Sequence, residues 1–356
     1  MTILNKIERK LAKKRIPMSV TFEVTKKCNL DCIHCYVDHS DTERELSIDE
    51  QKKVIDELYD LGVVYITFSG GELFTKKNVW ELFEHTRAKK MGFKIITSGT
   101  TLKKKDMDRL KDLGILEVGI SIYSDKDSVH DFITTKKGSL QKSLASAKYL
   151  AGIGVLVVSK TVIMTYNKND IENIHNKVKA IGMIPTFDLS MIDAENNVRD
   201  PKKYALSQEE IHHLFTDEKT KNILLTAKSF EEDYCENKAK YGPEDKRCGI
   251  GASTMWVDSK GDVYPCLVYP DPVGSLKKNT LKEIWYENQE IKDILNLATY
   301  KNYKSCHGCD AENYCSPCIA LSALEGKGTT CNSSSYNRSH AHKQIIDDIK
   351  MKAIVK

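Results

Sequence analysis

No stretch of this 356-residue sequence approaches 18 consecutive apolar residues, and its start, Met1-Thr-Ile-Leu-Asn-Lys, lacks the apolar segment of a secretory signal. A membrane-spanning or exported protein is not expected, and a cytoplasmic one is. Charge of one sign is also missing. The 54 Lys and Arg stand against 50 Asp and Glu, and a net +4 gives no reason to expect nucleic acid as a partner. Only residues 1–17 are locally basic, with six Lys or Arg against Glu8, and they read as a solvated amphipathic helix. There is no internal repeat and no low-complexity tract. With 40% apolar and 29% charged residues, general disorder is excluded, and the length suits two domains of about 150 residues each.

Cysteine is absent from residues 36–234, yet the chain has 11: three at 28–35 and eight within 235–331. Clusters of this kind in an intracellular chain point to metal ligation rather than disulfides.

Residues 18–191 alternate strand and helix patterns six times. Met18–Val24, Val63–Phe68, Phe93–Thr97, Val118–Ile122, Val155–Met164 and Thr186–Met191 read as strands. Helical patterns lie between them over 47–60, 77–90, 103–112, 140–151 and 169–180, the first opened by the capping box Ser47-Ile-Asp-Glu50. Such alternation implies parallel β/α units, arranged as a partial barrel or an open doubly wound sheet. After Asp200-Pro201 a helical stretch over about 207–228 leads into a region rich in Gly, Pro, Ser and Cys. Its one clear element is a hairpin, Thr254–Val257 and Val263–Cys266, turned at Gly261. With few apolar periods of its own, this region is expected to depend on metal for folding. The last sixteen residues read as one helix.

Cys28-Asn-Leu-Asp-Cys32-Ile-His-Cys35 directly follows the first strand. Three thiolates in eight residues suit three irons of a 4Fe–4S cluster and leave the fourth open for another ligand. A zinc knuckle is the alternative; it needs a fourth ligand, for which only His34 and His39 are near.

This Cys-x3-Cys-x2-Cys pattern after the first strand resembles the signature of radical S-adenosylmethionine (SAM) enzymes. The resemblance implies a partial (β/α)6 barrel in which SAM chelates the open iron and is cleaved reductively to a 5′-deoxyadenosyl radical. It also implies an external electron donor such as ferredoxin or flavodoxin. Ser69-Gly70-Gly71-Glu72, at the end of the second strand, resembles the family's GGE motif, whose backbone and acid hold the SAM amino group; Leu73 replaces the usual Pro. By the same resemblance His34 would pack on adenine, Ser121 would lie on the ribose side and Lys160 would neutralise the SAM carboxylate.

The later pattern Cys248-x12-Gly261-x4-Cys266, Cys306-x2-Cys309-x5-Cys315-x2-Cys318 and Cys331 resembles the SPASM extension of these enzymes, although its third spacing is one residue short. The resemblance implies two auxiliary 4Fe–4S clusters, one on Cys235, Cys248, Cys266 and Cys318 and the other on Cys306, Cys309, Cys315 and Cys331. With the SAM-binding cluster that makes three. Zinc sites are the alternative, since Cys-x2-Cys pairs serve zinc equally well.

The expected organisation is a basic helix (1–17), the barrel (18–200), a helical bridge (201–234), the SPASM domain (235–340) and a C-terminal helix (341–356). The resemblance implies an oxidoreductase that matures a peptide by a thioether or carbon–carbon crosslink. Haem-precursor modification and formylglycine formation on sulfatases are the alternatives. Asp188 and Asp193, near the end of the sixth strand, are candidate proton acceptors. The short stretch before the first strand leads to the expectation that any leader peptide is read by a separate protein, by an exposed barrel-side surface, or not at all, with the Lys6–Arg15 helix as the one local candidate.

Overall fold

The computed structural model describes residues 10–192, 194–195, 198–225, 242–246, 248–315 and 317–354. Strand β1 (Ser19–Glu23) leads through the Cys28–Cys35 loop to α1 (Ile48–Asp60). The alternation continues with β2 (Tyr65–Ser69), α2 (Trp80–Ala88), β3 (Gly92–Thr97), α3 (Lys104–Asp112) and β4 (Glu117–Ser121). Helices α4 (Asp127–Thr134) and α5 (Ser139–Gly152) precede β5 (Val157–Val162), and α6 (Ile171–Ala180) precedes β6 (Ile184–Asp188). Then come α7 (Gln208–Thr216), α8 (Lys221–Leu225), the strands β7 (Thr254–Val257), β8 (Asp262–Tyr264) and β9 (Gly274–Ser275), and α9 (Gln289–Leu297), α10 (Ile319–Leu324) and α11 (Ser333–Ile354).

The strands form one sheet in the order β6-β5-β4-β3-β2-β1-β7-β8-β9. It is parallel from β6 through β7 and antiparallel beyond. Among the described residues the sheet does not close, and β6 and β9 are its edges, so the barrel is partial. β1 is therefore covered on both sides: Ser19–Glu23 pairs Tyr65–Ser69, and Ser19–Phe22 pairs Thr254–Val257.

Alternate strand residues pack beneath the helices. Phe22, Phe68, Phe83 and Phe93 are fully buried, and the Phe83 ring of α2 lies 5.3 Å from those of Phe68 and Phe93. Burial of each ring contributes about 1.5–3 kcal/mol. The Ser47 hydroxyl accepts from Glu50 N at 3.3 Å and the Glu50 carboxylate from Ser47 N at 2.8 Å, so the expected capping box opens α1.

Residues after 248 do not build a core apart. Ile250, Met255, Val257, Val263, Leu281, Ile284, Trp285 and Ile291 belong to the same buried cluster as Val20, Phe22 and Ile55. The Trp285 indole N–H donates to Arg15 O at 2.7 Å. The region's apolar side chains thus serve the barrel's flank, where no local periodicity reveals them.

Some boundaries differ from the sequence reading. The stretch 207–228 breaks at Asp217, whose carboxylate accepts from Lys219 N and Thr220 N and starts a new helix. The C-terminal helix begins at Ser333 rather than 341, because the buried Asn332 caps it by accepting from Ser335 N at 2.8 Å. The sixth strand spans Ile184–Asp188, its register set by Val158 through Val162 of β5. Of the N-terminal helix only residues from 10 on are described.

Candidate active site

Cys28, Cys32 and Cys35 are free thiols on the loop after β1, close enough to raise one another's pKa. Burial is the larger cause in each: it pushes Cys35 up to about 12 and raises Cys28 and Cys32 as well. Thiols so desolvated become thiolates only against a cation, which is the donor chemistry a metal cluster requires. Leu30 N donates to Cys28 Sγ at 3.4 Å. Among the described residues no set of ligand atoms within 4.8 Å of one another joins either nearby histidine to two of these thiols; His39 Nδ1 bonds Lys26 O at 2.7 Å, and the His34 ring packs edge-on to Tyr123 at 4.5 Å.

The loop is seated on Ser69-Gly70-Gly71-Glu72. Val24 N donates to Ser69 O at 2.9 Å, Gly71 N to Thr25 O at 2.8 Å and Glu72 N to Lys27 O at 2.8 Å. Gly70 has φ +141, and a Cβ there would strike Thr25 O; one on Gly71 would strike Lys27 O and meet Lys26 O at 2.6 Å. Glycine is thus required so that the cysteine loop's own backbone can lie against the end of β2.

The Glu72 carboxylate is fully buried and turned to the end of β3. It accepts from Thr97 Oγ1 at 2.7 Å, Ser98 N at 2.9 Å and Ser98 Oγ at 2.7 Å. With these bonds made, Glu72 orders the turn after β3, and Thr100 of that turn accepts from Asn29 Nδ2 at 2.9 Å.

Other residues singled out in the sequence gather at the same strand ends. The shielded His34 Nδ1 has no hydrogen-bond partner among the described residues, and burial, then Arg199, pulls the ring down to about 4, so it is neutral. Tyr123 stacks on His130 at 5.5 Å, and the Ser121 side chain lies near its hydroxyl. Lys160 pairs with Ser121 in register, but its side chain runs across Gly119 to Glu117 at 3.5 Å, which also holds Lys94 at 3.0 Å. Asp188 ends the edge strand β6 and is exposed, accepting from Ser190 N at 2.8 Å. Asp193 lies outside the described residues.

Sequence reasoning passed over Glu23, the last residue of β1. It is 1% exposed, neither carboxylate oxygen has a hydrogen-bond partner among the described residues, and its Cγ lies 3.3 Å from where a Gly70 Cβ would stand. Burial, then Glu195 and Asp258, raises its pKa well above the carboxylate range. The acid five residues before Cys28, in Glu23-Val24-Thr25-Lys26-Lys27-Cys28, was the available signal.

The later thiols that influence one another form two further sets. Cys248, Cys266 and Cys318 are one; burial, then its neighbours' charge, pushes Cys266 up to about 12. Cys306, Cys309, Cys315 and Cys331 are the other, with Cys331 at about 11. Cys235 lies outside the described residues. Cys309 also has Asp310 and His340 within metal-sharing distance, all three ligand atoms lying within 4.8 Å of one another.

Compared with known proteins, residues 22–178 match the radical SAM superfamily and residues 248–310 match SPASM, an iron–sulfur cluster-binding domain. The chain is a radical SAM enzyme with a SPASM domain. This radical SAM/SPASM enzyme is 27% identical to the antilisterial bacteriocin subtilosin biosynthesis protein AlbA of Bacillus subtilis, over 94% of this chain and 73% of that one. It is 25% identical to the AdoMet-dependent heme synthase of Methanosarcina barkeri, over 85% of this chain and 94% of that one. Streptococcus suis SuiB bound to its precursor peptide SuiA superposes with a TM-score of 0.68 at 16% identity, covering 93% of this chain and 79% of SuiB, a likeness of fold. Among the described residues, no helix is long and apolar enough to cross a membrane.

Proposed function

We infer that this radical SAM/SPASM enzyme oxidatively matures a peptide, closing a thioether or carbon–carbon crosslink. The observation that carries the chemistry is the sorting of the ten described thiols into sets of three, three and four, the first of them on the loop after β1. When bound to a cluster on that first set, SAM supplies a 5′-deoxyadenosyl radical able to take a hydrogen atom from substrate. The protein's part is to hold and orient. Cys28, Cys32 and Cys35 would ligate the cluster, while Ser69-Gly70-Gly71 seat its loop and Glu72 fixes the turn after β3. His34 and Ser121 would line the SAM side. The other two sets, completed by Cys235, would hold two auxiliary clusters, with ferredoxin or flavodoxin as electron donor.

Two relatives support a peptide substrate: one named for bacteriocin biosynthesis and aligned along 94% of this chain, and SuiB in complex with a precursor peptide. A porphyrin substrate is the second reading, supported by the heme synthase aligned over 94% of its own length. The test is anaerobic incubation of reconstituted protein with SAM and dithionite. One arm offers peptides translated from short reading frames beside the gene, the other iron coproporphyrin III. Loss of two hydrogens from a peptide supports the reading; decarboxylation of the porphyrin alone overturns it.

A further inference from the structure

The cysteine loop is held from outside the barrel by a chain of charges. Lys26, two residues before Cys28, is 4% exposed, and a buried ammonium is stable only when paired. Its Nζ lies 2.7 Å from Glu195 Oε2 and 3.3 Å from Asp41 Oδ2. Glu195, from the segment after β6, also accepts from Asp38 N at 3.0 Å and donates its own N–H to Tyr36 O at 2.8 Å. Asp41 is shared: Lys260 Nζ reaches its two oxygens at 2.7 and 2.6 Å.

Lys260 belongs to the β7–β8 turn, whose shape is internally fixed. The buried Asp258 carboxylate accepts from Lys260 N at 2.9 Å and Asp262 N at 2.8 Å. Ser259 O accepts from Leu46 N at 2.8 Å, so the turn is also docked by backbone on the far end of the cysteine loop. Within this group two lysines face two carboxylates. Without Lys260, Lys26 alone would face Asp41 and Glu195, with the unpartnered carboxyl of Glu23 close by.

We propose that Lys260, in the SPASM half of the chain, is a positioning residue for the SAM-binding cluster, acting through Asp41 and Lys26 on the loop that carries Cys28, Cys32 and Cys35. This rests on the reading that those three thiols hold that cluster. The auxiliary domain then has a part in shaping the SAM site that is separate from its own clusters.

The test compares wild-type protein with Lys260→Met, Lys260→Arg, Asp41→Asn and the Asp41→Asn/Lys260→Met double variant, all reconstituted anaerobically. SAM is the probe; the readouts are iron content, SAM affinity and the reduction potential of the SAM-binding cluster. Lys260→Met is expected to keep its iron and auxiliary-cluster signals while SAM affinity falls roughly tenfold, about 1.4 kcal/mol. The potential should become more negative, since a cation that favours the reduced cluster is lost. Lys260→Arg should restore both, and the double variant should fall no further than either single one. Asp41→Asn leaves the turn untouched and decides the matter should Lys260→Met fold poorly. Wild-type affinity and potential in Lys260→Met or, failing that, in Asp41→Asn overturn this proposal alone. A wild-type protein that binds no SAM overturns the functional reading and this proposal with it.

Discussion

Gly71→Ala tests the seating of the cysteine loop most directly. The added Cβ would meet Lys26 O at 2.6 Å, where ordinary contact begins at 3.4 Å, and Lys27 O more closely still. The loop backbone must therefore withdraw by about 1 Å. That strains or breaks the bonds from Gly71 N to Thr25 O and Glu72 N to Lys27 O, each 2.8 Å long. Two backbone hydrogen bonds at about 1 kcal/mol each, with an overpacking cost of about 1–3 kcal/mol, give roughly 3–5 kcal/mol. The helices and the shared core are untouched, so the loss should be local. A displacement of this size at a reacting centre costs on the order of a hundredfold in rate. The assay is anaerobic reconstitution followed by iron determination and chromatographic measurement of 5′-deoxyadenosine from SAM. Gly71→Ala should lose most 5′-deoxyadenosine production and up to a third of its iron. Gly152→Ala, with nothing within 4 Å of the new Cβ, should behave as wild type. Undiminished SAM cleavage by Gly71→Ala would refute the seating argument.

Replacing Cys28, Cys32 and Cys35 together with Ala should remove about four of roughly twelve irons and abolish SAM cleavage; residual 5′-deoxyadenosine would show that the radical arises elsewhere. Burial raises Asp258 to about 6, so it lowers stability as pH rises from about 4 to 6. Asp258→Asn keeps an oxygen for the two turn N–H groups and should therefore be more stable by up to about 3 kcal/mol at pH 8. In denaturant melts that gain should shrink at pH 5, and a pH-independent difference would contradict the assignment. Phe83→Ala empties a fully buried site between Phe68 and Phe93 and should cost about 3–5 kcal/mol, read as a lower melting temperature with the cysteine loop still loaded.

What the sequence disclosed was mostly local. The Ser47–Glu50 box, the turn at Gly261 and six strand–helix repeats depend on residues a few positions apart, and each is found in the order expected, with bounds that differ by a few residues, as at the sixth strand. Pairing of β7 with β1 joins segments some 230 residues apart, and no short-range signal records it. Motif spacing located Ser69-Gly70-Gly71-Glu72 but not the direction of the acid, which depends on Thr97 and Ser98 from another strand. Lys160 was placed correctly on its strand, while its partner Glu117 lies four residues before Ser121 on the neighbouring one. Glu23 and Asp258 read as ordinary charges, because burial without a counter-ion is a property of the assembled sheet.

The pairing of β1 with β7 also sets a timetable. A strand made at residues 19–23 waits for a partner at 254–257, a separation that at 5–20 residues per second corresponds to roughly 10–50 s of synthesis. During that interval β1 can pair with β2 but presents its other edge bare, with Val20 and Phe22 lacking the cover of Met255 and Val257. An uncovered parallel edge is a template for other chains. Contacts so distant in sequence also form slowly. Nascent or truncated chains ending before about residue 254 should therefore be the aggregation-prone species, and their yield should respond to translation rate and to holding chaperones more than that of the full-length protein.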